Sequence, residues 1–312
     1  MGFKIDESAR IYGEMSSGDG LYIAQGSVVR SDGGSVSFGN NSWILENSVI
    51  IGNKKYPAKI GSKTVLGHKC IVIGAEIGDL CEVGNGTIFL PGSKVGNMCI
   101  FGEGTIIPQG VSIPDKSVVI GRPYRIIRTL TQEDIDMIKR MRGGDISITK
   151  VDYKELTGRE WEDNIVGKLN AIGGKIPVIK ENVVIFDGAE INGDVRIGNN
   201  SKVYSGVKII GNSHGPVIIG NNVQIMENSV LHLLPDNELI IEDNVTIGPG
   251  CIVHGCHIGS GTIIESGSII CDYSKVGRNS LVKSGSLVKQ RSIFEENEIL
   301  EGFPAKSIGK NT

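Results

Sequence analysis

Residues 77–101 read IGDLCEVGNGTIFLPGSKVGNMCIF, and an apolar residue stands at every sixth position from Ile77 to Phe101. Glycine, asparagine and aspartate cluster between these positions. Such residues accept the backbone of a tight corner, so each hexad predicts a short strand followed by a turn. An α-helix has 3.6 residues per turn and tolerates glycine poorly, and it does not fit this period. Hexads at this density predict an all-β fold, the parallel β-helix, in which three hexads close one triangular coil.

The hexad pattern occurs in both halves of the chain. The apolar positions of its clearest parts are Ile77, Val83, Phe89, Val95, Phe101, Ile107, Ile113 and Val119, and then Ile258, Ile264, Ile270, Val276, Val282 and Val288. A shift of 181 residues places the first half on the second without a gap from about Gly39 onward. Both halves also shorten one spacing to five residues at the same place, before Ile77 and before Ile258. A shared irregularity of this kind predicts a tandem duplication.

The composition changes between the two halves. Thr131 precedes an acidic turn and an apolar helical pattern, which predicts a capped helix. Trp161, Ile165 and Leu169 follow at helical spacing and predict a second amphipathic helix. We therefore expect a β-helix domain at 1–128, a helical linker at 129–174 and a second β-helix domain at 175–312.

Composition excludes several classes of protein. The 44 glycines among 312 residues, about twice the usual share, lack the period of three of a collagen. The net charge of −3 and the absence of a long basic run argue against a nucleic-acid partner. No apolar run approaches the ~18 residues of a membrane span, and no secretory signal is visible, so we expect no membrane partner. Five of the 6 cysteines, all except Cys271, share one small-residue position of the coil, which predicts core packing and a reducing, cytoplasmic location.

Two segments resemble a known superfamily. Gly121-Arg122-Pro123-Tyr124-Arg125-Ile126-Ile127 and Gly302-Phe303-Pro304-Ala305-Lys306-Ser307-Ile308 share a Gly-x-Pro-x-x-x-Ile pattern. With the hexads, this pattern resembles the hexapeptide-repeat acyltransferases, whose fold is a left-handed β-helix. A narrower resemblance is to the γ-class carbonic anhydrase branch, through Val29-Arg30-Ser31-Asp32 and Gly67-His68. The resemblance implies a homo-oligomer, most often a trimer, with three histidines around zinc or another divalent metal where two β-helices meet.

The three ligand positions are divided between the two halves. The first half keeps the middle histidine, His68, and has Ile51 and Ile73 at the outer positions. The second half keeps the outer pair, His232 and His254, and has proline at position 249. The family takes the outer pair from one β-helix and the middle ligand from the neighbouring β-helix. We therefore expect one composite zinc site, in which His68 of a first half joins His232 and His254 of a second half. The alternative is a decayed ancestral site that binds no metal. The segment Cys251-x-x-His254-x-Cys256-His257 resembles a zinc cluster only superficially, because the coil already explains its cysteines.

Other departures bear on the reaction. The Gln-Asp pair of the family is replaced by Leu45-Glu46 and by Met226-Glu227. Glu46 and Glu227 are therefore candidate catalytic residues, but the glutamine that would orient metal-bound water is apolar in both halves. We expect acyl transfer or thioester hydrolysis on a small acylated molecule rather than efficient hydration of CO2, which stays an alternative.

Two further alternatives stay open. A metal-independent acetyltransferase would use His214 as general base, and CoA or acyl-CoA would lie along the later coils. Its phosphates would contact basic residues of those coils, namely Lys283, Lys289, Arg291 and Lys306. The other alternative is a non-catalytic structural protein with eroded sites.

Overall fold

The computed structural model describes residues 2–211, 215–234 and 236–312. Within these residues the regular structure consists of short β-strands and a single α-helix. The chain divides into two compact units, Met1–Trp161 and Glu162–Thr312, which are called unit 1 and unit 2.

The described part of unit 1 contains 21 strands and one helix. They are β1 (Lys4–Ile5), β2 (Arg10–Tyr12), β3 (Glu14–Ser17), β4 (Tyr22–Ile23), β5 (Val28–Ser31), β6 (Val36–Phe38), β7 (Trp43–Ile44), β8 (Val49–Gly52), β9 (Ala58–Ile60), β10 (Val65–Leu66), β11 (Ile71–Ile73), β12 (Glu76–Ile77), β13 (Glu82–Val83), β14 (Ile88–Phe89), β15 (Lys94–Val95), β16 (Ile100–Phe101), β17 (Ile106–Ile107), β18 (Ser112–Ile113), β19 (Ser117–Ile120), β20 (Arg125–Thr129), α1 (Gln132–Met141) and β21 (Lys154–Thr157).

These strands form three sheets, because each of β1 to β16 pairs in parallel with the strand three places further along the chain. Sheet A holds β1, β4, β7, β10, β13, β16, β19 and β20; sheet B holds β2, β5, β8, β11, β14 and β17; sheet C holds β21, β3, β6, β9, β12, β15 and β18. Among the described strands of unit 1, only β20 and β21, at the ends, pair antiparallel with their neighbours. Three successive strands therefore complete one coil.

Unit 2 repeats this arrangement with 22 strands in its described part. They are β22 (Lys168–Asn170), β23 (Val178–Ile179), β24 (Val184–Ile185), β25 (Glu190–Gly193), β26 (Val195–Ile197), β27 (Lys202–Val203), β28 (Lys208–Gly211), β29 (Val217–Ile219), β30 (Gln224–Ile225), β31 (Val230–Leu231), β32 (Leu239–Ile241), β33 (Thr246–Ile247), β34 (Ile252–Val253), β35 (His257–Ile258), β36 (Ile263–Ile264), β37 (Ile269–Ile270), β38 (Lys275–Val276), β39 (Leu281–Val282), β40 (Leu287–Val288), β41 (Ile293–Phe294), β42 (Glu298–Gly302) and β43 (Ala305–Lys310).

The three sheets of unit 2 are again built from every third strand. Sheet D holds β24, β27, β30, β33, β36, β39, β42 and β43; sheet E holds β22, β25, β28, β31, β34, β37 and β40; sheet F holds β23, β26, β29, β32, β35, β38 and β41. The parallel coils and the hexapeptide repeats identify each unit as a left-handed β-helix. The predicted all-β fold class is confirmed, whereas an origin by tandem duplication stays a prediction.

The predicted apolar ladders line the interior of the coils. In unit 1, Phe89 and Ile107 are completely buried, and Phe89 packs edge-to-face on Phe101 with ring centroids 5.0 Å apart. In unit 2, Ile264 and Val288 are completely buried in a core of aliphatic residues and cysteine. Burial of a side chain of this size stabilises the fold by about 1.5–3 kcal/mol, so the ladders are the main source of stability.

The corners of the coils explain the many asparagines and glycines. Asn47 and Asn228, which are 181 residues apart, have φ angles of 58° and 56°, in the left-handed region that asparagine tolerates. Gly206 has a φ of 75°, and a Cβ there would overlap the side chain of Asn228 on the next coil. The composition of the corners is therefore fixed by backbone geometry.

The first predicted helix is present and the second is not. Thr131 and Asp134 form a capping box at the start of α1, and Ile138 of this helix is completely buried. The prediction of a helix around Trp161, Ile165 and Leu169 is wrong, because Leu169 lies in β22, which pairs with β25. The open edge of β25 offers unpaired backbone groups, and satisfying them outweighs a weak helical pattern that Gly167 interrupts.

The stretch 129–174 is thus helical only at α1, and strand β21 within it pairs with β3. The boundary between the units lies inside this stretch, and the proposed domain limits at 128 and 175 stay a prediction. No helix in the described ranges has the length and apolar character needed to cross a membrane.

Candidate functional site

Two of the candidate ligands lie next to each other on unit 2. His232 follows β31 and His254 follows β34, and these strands pair with Leu231 opposite Val253. The His232 backbone N–H donates to the Val253 carbonyl at 3.0 Å, which sets the two histidines at the same corner of successive coils. Their rings meet edge-to-face with centroids 5.8 Å apart. Unit 2 therefore holds a pair of imidazoles at one corner of the coil.

His254 is held by a carboxylate. Its Nδ1 lies 3.2 Å from Oδ2 of Asp272, which is 7% exposed. The other oxygen of Asp272, Oδ1, lies 3.3 Å from Nδ2 of Asn237, and the same amide donates to the Gly255 carbonyl at 2.8 Å. Because Nδ1 contacts Asp272, Nε2 is the ring nitrogen of His254 left for another ligand.

The third candidate ligand, His68, lies on unit 1 in the corner between β10 and β11. Its Nδ1 is 2.6 Å from Oε2 of Glu46, and its backbone N–H donates to Oδ1 of Asn85 at 2.8 Å. About half of the His68 side chain is exposed, so its Nε2 is accessible. Glu46 thus orients His68 as Asp272 orients His254.

The matched positions on the opposite unit are apolar or blocked. Ile51 and Ile73 pair directly with each other in sheet B, where unit 2 has its two histidines. Pro249 has no side-chain nitrogen that could bind a metal. Glu227, the residue that the 181-residue shift places on Glu46, is 1% exposed. Each unit therefore carries the part of the ligand set that the other one lacks.

Leu45 and Met226 have the same backbone environment in the two units. The Leu45 N–H donates to Leu66 and the Met226 N–H donates to Ile247, each to the next coil of the same sheet. Both side chains are half-buried. The Arg30 guanidinium lies 5.5 Å from the ring of Trp161 within unit 1.

The other candidates that the structure describes lie in the later coils of unit 2. His214 lies outside the described residues. Lys283 pairs with Glu265 at 3.3 Å, and the Arg291 guanidinium lies over the ring of Tyr273 at 5.2 Å. Lys289 and Lys306 are exposed, the first after β40 of sheet E and the second in β43 of sheet D. A phosphate-binding role for these four residues stays a prediction.

The cysteines behave as core residues. Burial raises the pKa of Cys70 and of Cys251 to about 12, so both remain thiols at neutral pH. Cys256 is also buried, and its pKa is raised in the same way. Across residues 2–211, 215–234 and 236–312, no three His, Cys, Asp or Glu side chains gather in a group that could hold a metal ion.

The histidines nevertheless fit the parts of a zinc site. Structural and catalytic zinc require at least three protein ligands, and zinc-bound histidines usually give their second nitrogen to a carboxylate or a carbonyl. His254 with Asp272 and His68 with Glu46 have this second contact. Neither the histidine pair of unit 2 nor the single histidine of unit 1 reaches that number alone.

Sequence reasoning missed Asp272 and Asn237. The signal was present, because the 181-residue shift places Asp272 on Pro91 and Asn237 on Tyr56. Two polar residues thus occur only in the unit that carries the histidine pair. A comparison of the two halves at positions beside the histidines would have found both.

Family profiles match two parts of the chain. The profile described as bacterial transferase hexapeptide (six repeats) matches residues 239–272, and that of the hexapeptide repeat of succinyl-transferase matches residues 57–89. A hexapeptide transferase family protein from Anaplasma phagocytophilum has a solved structure that is 30% identical. That match covers 46% of this chain and 84% of the other, with a TM-score of 0.44.

Curated relatives carry the name carbonic anhydrase. A "Carbonic anhydrase" of Geobacillus kaustophilus is 41% identical over 29% of this chain and 50% of its own length. The chain spans about half the length of the first curated relatives it matches. A "Probable carbonic anhydrase" of Methanocaldococcus jannaschii is 39% identical over 153 residues, which is 48% of this chain and 96% of that protein. Since this match covers nearly the whole of the relative, the chain belongs to the γ-carbonic-anhydrase-like branch of the hexapeptide-repeat, left-handed β-helix superfamily.

Proposed function

We propose that the protein is a zinc enzyme that attacks the carbonyl of a small acylated molecule, by thioester hydrolysis or acyl transfer. The proposed ligands are His232 and His254 of one unit 2 and His68 of a unit 1 beside it, in the same chain or in a neighbouring one. The observation that carries the proposal is the division of ligands: a pair with ring centroids 5.8 Å apart on unit 2, a single histidine on unit 1, and apolar residues or proline at the matched positions.

The residues around the histidines have defined roles in this proposal. Zinc with three imidazoles and an open position lowers the pKa of bound water and polarises a carbonyl oxygen. Glu46 and Asp272 accept from Nδ1 of His68 and His254 and so direct both Nε2 atoms outward. Glu46 and Glu227 lie on the chain beside the apolar pair Leu45 and Met226, and they are the proposed residues to move a proton.

The outer face of sheet E supports association with another copy of the chain. The positions that alternate with the core residues there are apolar and partly exposed: Val230, Ile252 and Ile269, of which Ile252 is 39% exposed. The same positions of sheet C are Lys59, Glu76 and Lys94, which form ion pairs. An apolar outer face is typical of a surface that another protein surface covers, and we propose a homo-oligomer, with a trimer as the expected form.

Leu45 and Met226 favour an acyl substrate over CO2. Each is a half-buried apolar side chain at the position where the resembled family has a water-orienting glutamine. An apolar wall stabilises the alkyl part of an acyl group and gives no hydrogen bond to a water molecule. CO2 hydration is the second candidate function, and the match to the Methanocaldococcus protein favours it.

Metal analysis of the purified protein tests the site. We expect about one zinc per chain in the wild type, and loss of the metal in each of His68→Ala, His232→Ala and His254→Ala. His257→Ala is the matched control, because His257 pairs with Glu242 at 2.8 Å in sheet F and should leave the zinc content unchanged. Stoichiometric zinc in His68→Ala would exclude the composite site, and no zinc in the wild type would favour a decayed site.

Rate measurements test the reaction. For each reaction, the rate enhancement over the uncatalysed rate is measured. The wild type should enhance the hydrolysis of acetyl-CoA or a p-nitrophenyl ester more than the hydration of CO2. The double variant Leu45→Gln, Met226→Gln should gain CO2 hydration relative to acyl hydrolysis. A metal-independent acetyltransferase would keep its acetyl-CoA activity after chelation. If the wild type hydrates CO2 efficiently and hydrolyses neither acyl compound, the acyl proposal is wrong and carbonic anhydrase activity is the function.

A further inference from the structure

Asp272 is a buried carboxylate whose two oxygens have separate partners. Oδ2 faces Nδ1 of His254 at 3.2 Å, and Oδ1 faces the Asn237 amide at 3.3 Å. Only 7% of Asp272 is exposed, whereas about a third of the His254 side chain is exposed. The carboxylate therefore lies on the inner side of the imidazole, away from the accessible edge.

Asn237 is itself fixed by three contacts. Its Nδ2 donates to the Gly255 carbonyl at 2.8 Å, and its Oδ1 accepts from the Glu238 N–H at 2.8 Å. The backbone at Gly255 lies so close that a Cβ there would overlap the Asn237 amide. Because its oxygen accepts from Glu238, the amide presents its NH2 group to Asp272.

These contacts determine which ring nitrogen of the neutral His254 side chain carries the proton. A carboxylate accepts but does not donate, so a neutral imidazole beside it carries its proton on Nδ1. Nε2 then has the free electron pair that a metal requires. Without the carboxylate, neither tautomer would be selected by this neighbour.

We infer that Asp272, held by Asn237, is a positioning residue that keeps His254 in the Nδ1–H form with Nε2 presented for metal binding. The coordinating role rests on the proposed function, whereas the choice of tautomer does not. The matched positions of unit 1 carry Ile73, Pro91 and Tyr56. The contacts among His254, Asp272 and Asn237 therefore occur only in the unit with the histidine pair.

The first test measures the tautomer in metal-free protein. The chain has only 5 histidines, so the imidazole ¹⁵N signals of His254 can be assigned by comparison with His254→Gln. At pH about 8.5, where histidine is mostly neutral, we expect protonated Nδ1 and bare Nε2 in the wild type. Asp272→Asn should give a mixture, and Asn237→Ala a smaller change in the same direction. A wild type with protonated Nε2, or an Asp272→Asn spectrum identical to it, would overturn the inference.

The second test measures the affinity for Co²⁺ by chelator competition and the Co²⁺ absorption spectrum. We expect Asp272→Asn to weaken binding about 10–100-fold. Asp194→Asn is the control, since Asp194 is a similarly buried carboxylate of unit 2 that pairs with Lys175 at 2.6 Å, and its variant should bind as the wild type does. A wild type that binds no Co²⁺ but shows the expected tautomer would refute the proposed function and leave the positioning role intact. Tight binding by Asp272→Asn would refute the positioning role alone.

Discussion

Unit 1 and unit 2 have the same coil but different chemistry at its corners. Where unit 2 has His232 and His254, unit 1 has Ile51 and Ile73, and where unit 1 has His68, unit 2 has a proline. Core positions tolerate little change because they are closely packed, whereas corner side chains face outward and can be exchanged without loss of the fold. The comparison teaches that equivalent corners of the coil accept histidine, isoleucine or proline while both copies stay folded.

The largest expected effect comes from restoring the missing ligands. A triple variant with Ile51→His, Ile73→His and Pro249→His supplies the complementary set, because each new histidine takes the corner that its counterpart has in the other unit. We expect the zinc content to rise from about one to about two per chain, since each half-site would then have a partner of the other type.

The control for this prediction is the same triple substitution to asparagine, which introduces polar side chains that rarely bind zinc. It should leave the metal content at the wild-type value. If the histidine variant folds, binds its first zinc and takes up no second, the two units do not lie in a reciprocal arrangement, and the composite site is limited to one side.

The cysteines give a second comparison, which depends on pH. Cys70 and Cys251 are matched by the 181-residue shift, and burial raises the pKa of each to about 12. At pH 8 both thiols therefore carry far less thiolate than an exposed cysteine does. Cys271 is only partly buried and has Leu90 as its counterpart; burial and the charge of Asp272 raise its pKa as well.

We therefore expect a single fast thiol in the native protein, that of Cys271, when it is treated with a chromogenic disulfide. A raised pKa means that less thiolate is present at a given pH, so the rate should increase as the pH rises from 7 to 9 and beyond. Cys271→Ser should remove the fast phase and Cys251→Ser should not. A fast phase that survives in Cys271→Ser would show that a buried coil position opens.

The third comparison concerns the cores. Phe89 of unit 1 and Ile270 of unit 2 occupy matched, completely buried positions, but only Phe89 has an aromatic partner, Phe101. Phe89→Ala should lower the free energy of unfolding by about 3–5 kcal/mol, and Ile270→Ala by about 2–4 kcal/mol, because the edge-to-face pair adds to the lost burial. Urea unfolding measures both, and Ile293→Ala, at a 71% exposed residue, should change stability little. Equal losses would mean that the aromatic pair contributes nothing beyond its burial.

The fold was predictable because one residue in six carries it. Ile77, Phe89 and their equivalents recur so regularly between corner residues that the period, the length of a coil and the core residues follow from the sequence. The shortened spacing before Ile77 also recurs before Ile258. The segment around Leu169 was predicted wrongly because its structure depends on a distant partner, the open edge of β25. Helical spacing is a local signal and carries no information about such an edge.

The candidate site was predictable only in part, for a related reason. His68, His232 and His254 can be placed from motifs, but the carboxylates that hold His68 and His254 come from other coils, 22 residues away for Glu46 and 18 for Asp272. One coil is about 18 residues long with local insertions, so side chains in contact across coils are separated by spacings that vary from coil to coil. The insertion that contains Asn237 changes this spacing, and only the folded coil shows which residue it brings to Asp272.

The smallest expected effect lies at the last corner of each unit. Lys116 and Asn297 are matched by the 181-residue shift and have φ angles of 59° and 57°. Their surroundings are alike, since the returning chain donates from Leu130 to the Lys116 carbonyl and from Asn311 to the Asn297 carbonyl, each at 2.8 Å. Asparagine tolerates the left-handed region better than lysine does, so unit 1 carries strain here that unit 2 lacks.

Lys116→Asn should therefore stabilise the protein by about 0.5–1 kcal/mol, and Asn297→Lys should destabilise it by a similar amount. Lys116→Ala serves as the control, because alanine also has a Cβ and keeps the same backbone cost while it removes the charge. Thermal unfolding of the three variants beside the wild type measures these differences. A gain in Lys116→Ala as large as that in Lys116→Asn would assign the effect to the lysine charge, and the corners of the two units would then differ in electrostatics rather than in backbone strain.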